Sequence, residues 1–590
     1  MKNPRAWFLQ GLFLFFALAI LGRLFFWQVI NYDEFVTAAA NQHLTTVSIG
    51  ADRGKILSFD LEVLVANQPS FLLFANLQQL KDSEKGKKDF GKLAKDIVDD
   101  LAPLLAEEKI SDLKKPEKAT TKEKKKILDS LKRSLTESLE TENVVWVALA
   151  HKLTEKTKEK IEKLGLVGLG FEEQASRFYP NGSLAAQLLG FVGEDEDGND
   201  RGYSGLEGFY DDQLRGRVGK LTEEVDAQGH PILAGLKSGA VPADGFDLVT
   251  TIDRTVQYTV ERYLRAGMKK YSAKSGSAIV MDIKTGAILA VANVPSFDPS
   301  KWFSFENKDL RNGAISDVYE PGSTFKMITA AAALDSGAIT TETVCPCTGP
   351  IKIAGYEIRT WNNQYHSGST VSDILEHSDN VGASFMAEKV GKAKFIDYVK
   401  KFGFGKKTGV DLQGEETGLL KDPADWYPID YVTSAFGQGI SVTSLQMLTA
   451  ASAIANGGKM MQPYLVQKII GEKTIEHKPV EVGQIIKPKT ASVMKELLFS
   501  AVENGEAKRL IPHGLRVAGK TGTAQIPIAG HYDPNKTVAS FVGFGPVEKP
   551  KFAMIVRFNE PIPIYAAETS EPLFFDIARE LYSYWGIAIH

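Results

Sequence analysis

A nearly unbroken apolar run close to the N-terminus constrains this 590-residue chain more than any other feature. Ala6 to Gly22 is interrupted only by Gln10, and after Arg23 the segment Leu24 to Ile30 is again mostly apolar. Apart from Arg23, the run is long enough to cross the ~30 Å hydrocarbon core of a bilayer. A cleaved signal peptide has a shorter apolar core and small residues at its cleavage site. Leu24-Phe25-Phe26-Trp27-Gln28 is too bulky for such a site. Residues 1–30 therefore read as a short cytoplasmic N-terminus and an uncleaved transmembrane helix. Lys2 and Arg5 place the N-terminus inside by the positive-inside rule. With no second long apolar run, the chain beyond about residue 31 is expected outside. Arg23, near the outer end, has two readings: it snorkels to the interface, or it pairs with a polar group on a partner's membrane helix.

The chain as a whole is ordinary in composition for a globular protein, with 43% hydrophobic and 24% charged residues, and its length predicts several domains. A net charge of -4 gives no signature for nucleic acid. Cys345 and Cys347 are too few for a disulfide framework, and a bridge between residues so close in sequence is expected to be strained. No two further ligands can be placed with them for zinc, so they read as structurally incidental, and neither metal nor cofactor is expected.

Strand-like alternation appears around Val47, Ile49, Ile56, Leu57, Val63 and Val65. From about residue 80 to 163 the chain is rich in Lys and Glu, with apolar residues at helical spacing: Ile97, Val98, Leu101 and Leu104, then Ile127, Leu128, Leu131 and Leu135. Lys124-Lys125-Lys126 reads as a solvated helix face. A Gly-rich region with short strands follows. Its acidic stretch, Glu194 to Asp200, lacks the glycine and closing glutamate of an EF-hand and reads as a surface turn. Residues 31–245 thus form one region and 246–590 a larger one mixing helices and strands. In the latter, Ala278–Asp282 and Ala287–Val291 read as a hairpin around Lys284-Thr285-Gly286, Val538–Gly543 and Phe552–Val556 as another strand pair, and Pro572–Ile587 as a covering helix.

Glu320-Pro321-Gly322-Ser323-Thr324-Phe325-Lys326 opens a helical run, so Ser323 and Lys326 share one face at i and i+3. A serine nucleophile needs such a neighbour as base, provided the lysine is neutral, which desolvation or nearby cations can arrange. Ser-x-x-Lys alone is weak. It recurs at Ser111–Lys114 and Ser492–Lys495, both read as solvent-exposed helix. Lys-Thr-Gly recurs at Lys284, the hairpin turn, at Lys407, in a turn-like linker, and at Lys520; only Lys520-Thr521-Gly522-Thr523 follows a strand-like segment, Leu515–Ala518, and precedes the second strand pair. Ser378-Asp379-Asn380 completes a set in the order Ser-x-x-Lys, Ser-x-Asn, Lys-Thr-Gly, the trio of β-lactamases and penicillin-binding proteins. Gly514 to Thr521 also matches a phosphate-loop pattern, but those positions look like a strand and no helix follows. His377 beside Ser378 raises a Ser–His pair, against the plainer reading of a helix-end histidine.

On these motifs the chain resembles a class B penicillin-binding protein over nearly all its length apart from the Lys-rich stretch. Arg23–Val29 resembles the end of that family's membrane anchor and Arg53-Gly54-Lys55-Ile56-Leu57 the start of its pedestal. Arg177-Phe178-Tyr179-Pro180, Leu189–Gly193 and Gly205–Gly208 resemble later pedestal motifs. Thr250-Thr251-Ile252-Asp253, with Gln257 and Glu261, resembles the start of its transpeptidase domain. Phe436–Thr443 and Ser540–Phe544 match further stretches. One departure is Ser58-Phe59-Asp60-Leu61, where the family has Asp-Arg-x-Gly.

The resemblance implies an α/β (α+β) serine β-lactamase/transpeptidase-like domain, an antiparallel sheet flanked by helices, preceded by a membrane helix and an elongated α+β pedestal of dimerisation type. It implies a peptidoglycan D,D-transpeptidase at the bacterial inner membrane that cross-links stem peptides ending in D-Ala-D-Ala and is trapped by β-lactams. Ser323, Lys326, Ser378, Asn380 and Lys520 would be catalytic, and Thr521, Gly522 and Thr523 would bind substrate. A glycan polymerase of the shape, elongation, division and sporulation family, with other division or elongation membrane proteins, would be the partners. Tyr319-Glu320-Pro321-Gly322 resembles the division type. The alternatives are a D,D-carboxypeptidase or β-lactamase-like hydrolase, which needs neither anchor nor pedestal, a β-lactam sensor, which should carry more membrane helices and an intracellular output domain, and a non-catalytic scaffold, which needs no complete motif set.

Overall fold

The computed structural model describes residues 4–36, 44–142, 144–196, 198–224, 232, 237–353, 355–505, 508, 510, 512, 514–528 and 531–589. The chain divides into two compact units, Met1–Arg53 with Arg215–Gly245, and Gly54–Leu214 with Phe246–His590.

In the first unit, helix α1 (Pro4–Phe25) runs on into a π-helical turn, Phe26–Ile30. Together they span 27 residues with a mean hydropathy of 2.0 over the most apolar window, the one segment among the described residues long and apolar enough to cross a membrane. Lys2, one of the two charges expected to orient it, lies outside the described residues. The Arg23 guanidinium stacks over the rings of Phe26 and Trp27 at 5.3 and 4.7 Å, so this charge has partners on its own helix. The unit also holds a three-stranded antiparallel sheet of Leu44–Ile49, Gly219–Glu224 and Lys237–Ala240, with Gly219–Glu224 in the middle.

The second unit begins with β1 (Ile56–Leu57) and β2 (Val63–Asn76), joined where the resembling family carries Asp-Arg-x-Gly. Leu61 takes the left-handed conformation there (φ 66°), and Ser58 Oγ bonds the Asp60 carboxylate at 2.5 Å to close the turn. Helices α2 (Phe90–Ser111) and α3 (Thr121–Leu139) occupy the Lys-rich stretch. Asp89 caps α2, and Thr120 with Glu123 forms a capping box on α3. Their apolar stripes, Ile97, Val98, Leu101 and Leu105 against Leu131, Leu135 and Leu139, pack on Leu73 and Ala75 of β2. Lys124 to Lys126 are exposed, as a solvated face requires. Within the same stretch lies a strand that the helical spacing does not announce, β3 (Trp146–Leu153), which pairs antiparallel with β2; β4 (Leu169–Phe178) also pairs with β2. The Ser111–Lys114 region is not simply solvent-exposed. The Ser111 carbonyl accepts from Lys301 Nζ at 3.0 Å and Lys114 pairs with Asp309 at 3.3 Å, both in the large domain. The acidic stretch is a hairpin turn between Val192–Glu194 and Asp200–Gly202, its Asp197 lying outside the described residues.

Arg177, in the first later pedestal motif, is a buried hub. Its Nε donates to Glu207 at 2.6 Å and its terminal nitrogens to Asn67 and the Gly54 carbonyl. A desolvated pair of this kind specifies one arrangement, because removing either partner strands a buried charge. The sheet then continues into the large domain. β5 (Asp247–Thr250) pairs in parallel with β1 and antiparallel with Val466–Ile470.

Asp253 caps α4 (Arg254–Lys270) through Thr255 and Val256 N–H. The large domain is built on a five-stranded antiparallel sheet of β6 (Ser275–Asp282), β7 (Ile288–Val294), β8 (Ala518–Ile528), β9 (His531–Gly545) and β10 (Phe552–Asn559), in the order β7-β6-β10-β9-β8. Strand alternation divides its side chains between two cores. Ala278, Val280, Met554 and Val556 face α4 and the C-terminal helix, which runs Ser570–Tyr584. Ile279, Met281, Ala553 and Ile555 belong to the core of the helices in the middle of the domain. The fold is therefore the expected α+β arrangement, an antiparallel sheet flanked by helices. The supposed phosphate loop is an irregular segment, Gly514–Val517, running into the start of β8, and Lys520-Thr521 lies in the pairing of β8 with β9.

Candidate active site

A 3₁₀ turn, Gly322–Phe325, leads into α5 (Lys326–Asp335). Ser323 and Lys326 thus share one face, and Lys326 Nζ stands 3.0 Å from Ser323 Oγ. Lys326 is fully buried, the desolvation a lysine base requires. Its ammonium position is fixed by the Ser378 carbonyl, by Ser378 Oγ at 3.2 Å and by Asn380 Oδ1 at 2.8 Å.

Ser378 and Asn380 come from the turn between α6 (Val371–Glu376) and α7 (Asn380–Val390). Asp379 supplies the cap of α7, accepting from Val381 and Gly382 N–H, so the middle residue of the motif is structural. Ser378 sits in the left-handed region at φ 52°, a conformation costing on the order of 1 kcal/mol for a non-glycine residue. That geometry aims both its hydroxyl and its carbonyl at Lys326. Asn380 Nδ2 in turn donates to the Arg359 carbonyl at 2.9 Å. His377 is exposed and stacks on His366 with 4.3 Å between centroids, as suits a helix-end residue.

β8 lies against the serine turn. A Cβ on Gly522 would meet the Pro321 carbonyl at 2.7 Å, Thr324 Cγ2 at 2.8 Å and Ser540 Oγ at 2.9 Å, so the glycine of Lys-Thr-Gly is what lets the strand approach. This places Thr521, Gly522 and Thr523 along the Ser323 turn. Lys520 is buried, with its Nζ 3.1 Å from Thr521 Oγ1. Thr523 Oγ1 accepts from Ala566 N at 3.0 Å. On the other side of the turn, Gly322 N donates to the Gly437 carbonyl at 3.1 Å.

The structure thus joins Ser323, Lys326, Ser378 and Asn380 in one hydrogen-bonded cluster, with the Lys520 strand packed on the same turn. The other matching triplets lie apart. Lys284 bonds Asn456 at the β6–β7 turn, and Lys407 is exposed.

Residue spacing did not reveal two neighbours of the site. The Arg359 carbonyl is a backbone group with no signature. Glu320 supports the turn from below: its Oε1 accepts from Gly439 N at 2.9 Å and Tyr532 OH at 3.2 Å. Burial holds the Glu320 carboxyl above the usual range, and burial with Glu320 alongside pushes Tyr532 up to about 12. Cys345 and Cys347 form a buried disulfide, which corrects the reading of incidental cysteines. Pro346 and a left-handed Cys347 (φ 40°) set their Cα atoms 5.3 Å apart, inside the ordinary range for a bridge, so the objection from sequence proximity fails.

The sequence carries two family signatures: residues 276–579 match the penicillin binding protein transpeptidase domain and residues 48–250 the penicillin-binding protein dimerisation domain. Stage V sporulation protein D of Bacillus subtilis is 37% identical over 413 residues, which are 69% of this chain and 63% of that protein, under two thirds of its length. Penicillin-binding protein PbpB of Mycolicibacterium smegmatis is 30% identical over 95% of this chain and 87% of its own, and peptidoglycan D,D-transpeptidase FtsI of Escherichia coli is 31% identical over 73% and 71%. Among solved structures, a peptidoglycan synthetase from Bifidobacterium adolescentis superposes with a TM-score of 0.70 at 25% identity, covering 93% of this chain and 98% of its own. Penicillin Binding Protein 2X from Streptococcus thermophilus superposes at 0.69 with 26% identity, covering 92% and 81%. Fold and sequence together define a serine transpeptidase-type domain on a dimerisation-type pedestal. The chain belongs to the penicillin-binding protein family, with the class B arrangement of those two domains.

Proposed function

We propose that this protein is a peptidoglycan D,D-transpeptidase acting through a Ser323 acyl-enzyme. The observation that carries the reading is the Lys326 amine, buried and within hydrogen-bond reach of Ser323 Oγ, Ser378 Oγ and Asn380 Oδ1 at once. Lys326 takes the Ser323 proton as Oγ attacks the carbonyl carbon between two terminal D-alanines of a stem peptide. Backbone N–H groups of Ser323 and Thr523 receive the oxyanion, and a water-poor setting strengthens that interaction. Thr521 and Thr523 hold the terminal carboxylate, and Gly522 lets their strand come close. Ser378 relays a proton to the departing D-alanine amine, with the Lys520 charge beside this path, while Asn380 keeps Lys326 and the donor peptide aligned. The C–N bond breaks, leaving an ester on Ser323. An amine of a neighbouring stem peptide then attacks the ester, regenerating the hydroxyl and forming the cross-link. A β-lactam enters by the same first step and stays as the acyl group.

We further propose residues 1–30 as a single-pass anchor with its N-terminus in the cytoplasm, 31–245 as the pedestal and 246–590 as the catalytic domain outside the inner membrane. A polymerase of the shape, elongation, division and sporulation family, making the strand to be cross-linked, is the expected partner. Labelling with a fluorescent penicillin tests the central claim. Ser323→Ala should abolish covalent label in a folded protein, and an adduct mapped by mass spectrometry to Ser111 or Ser492 would refute it.

A further inference from the structure

A small polar cavity with room for about one water molecule (≈ 10 Å³) adjoins the catalytic strand β8. Lys520 of that strand lines it, together with Glu376 at the end of α6, Val502 of the helix Pro488–Glu503, Phe541 of β9 and Glu571 in the first turn of the C-terminal helix. Lys520 is 5% exposed and Glu571 4%. Glu376 is held in place, its Oε1 accepting from Ser372 Oγ at 2.8 Å and Ser500 Oγ at 2.5 Å, and it lies two residues before Ser378. An ammonium and a carboxylate buried in one small cavity are each costly alone and compensate one another together. With Phe541 and Val502 as apolar walls, the field between them is poorly screened.

We infer that Glu571, supported by Glu376, is a positioning residue that acts through Lys520: its carboxylate keeps the Lys520 side chain oriented and charged while the proton passes by way of Ser378. The inference rests on the reading of Ser323 as the acylated nucleophile. Glu571 also lies where a helix N-terminus favours negative charge, and that role alone would affect only stability.

The test uses the full-length protein in detergent micelles. The second-order rate constant for acylation by a fluorescent penicillin is measured from pH 5 to 10 for the wild type, Glu571→Gln, Glu571→Asp and Glu376→Gln, with Ser323→Ala as the blank. The rising limb at low pH reports the base Lys326, and the falling limb at high pH reports loss of the Lys520 charge. Glu571→Gln should lower the plateau about ten-fold and move the falling limb about one pH unit lower, leaving the rising limb in place. Glu571→Asp should restore part of both, and Glu376→Gln should shift the same limb by less. If Glu571→Gln does not fold, the falling limb of Glu376→Gln decides. A labelled wild type with unmoved falling limbs in the folded variants overturns this inference alone. A wild type that is not labelled at Ser323 overturns the reading of the site, and this inference with it.

Discussion

The side-chain amide of Asn380 bridges two groups at once: its oxygen accepts from Lys326 at 2.8 Å and its nitrogen donates to the Arg359 carbonyl at 2.9 Å. One residue therefore ties the base to the segment before α6. Asn380→Asp keeps the acceptor and loses the donor, whereas Asn380→Ala loses both. Hydrogen bonds to charged groups contribute about 1.5–3 kcal/mol, so Asn380→Ala should slow penicillin acylation roughly 10- to 100-fold. Stopped-flow labelling measures this, and Asn380→Ala acylating at the wild-type rate would show that Asn380 does not hold the base in place.

Gly522→Ala should injure both stability and chemistry. The added methyl would press on Pro321, Thr324 and Ser540, each nearer than 3.0 Å, and overpacking of this kind costs about 1–3 kcal/mol. Thermal unfolding and acylation should fall together. An unchanged melting temperature with wild-type labelling would mean that β8 does not rest on the serine turn.

The three Lys-Thr-Gly sites should separate cleanly. Lys326→Ala and Lys520→Ala should each slow acylation at least about 100-fold, as losses of general-base and electrostatic catalysis do. Lys284→Ala should leave it within about two-fold, since Lys284 bonds Asn456 at a distant turn, and so should Lys407→Ala at an exposed position. Acylation assays on the four variants check this, and a large loss at Lys284 would contradict the choice of strand.

Glu320 gives a pH signature. Its carboxyl titrates above the usual range because it is buried, so the folded state holds its proton more tightly than the unfolded chain. Stability from this group is present below the unfolded value and lost as pH rises through the folded one. Glu320→Gln removes that loss while keeping an acceptor for Gly439 N–H. The variant should therefore gain thermal stability relative to the wild type at pH 8 and less so at pH 5, as read by melting curves. Equal shifts at both pH values would contradict the assignment.

The three motif triplets were legible in the sequence because their chemistry resides in side chains and their order is rare. The hairpin at Lys284 and the strand pair at Val538 and Phe552 were legible because alternation marks them. What stayed hidden depends on backbone conformation or on distant packing. Ser378 reaches Lys326 through a positive φ that no residue type announces. The β3 strand hides in a Lys- and Glu-rich stretch because most of its side chains are only partly buried, which blurs the period-2 pattern. The cysteine pair was misjudged because spacing alone ignores the turn that Pro346 and Cys347 make.

The pairing of β5 with β1 on one side and with Val466–Ile470 on the other bears on how the protein can be cut. A catalytic fragment starting at Phe246 would lose β1 and leave an open sheet edge, a template for aggregation. It would also strip Ala185 from Glu261 and Tyr210 from Asp411. A soluble version made for crystallography or inhibitor screening should therefore be truncated after the membrane helix and keep the pedestal whole.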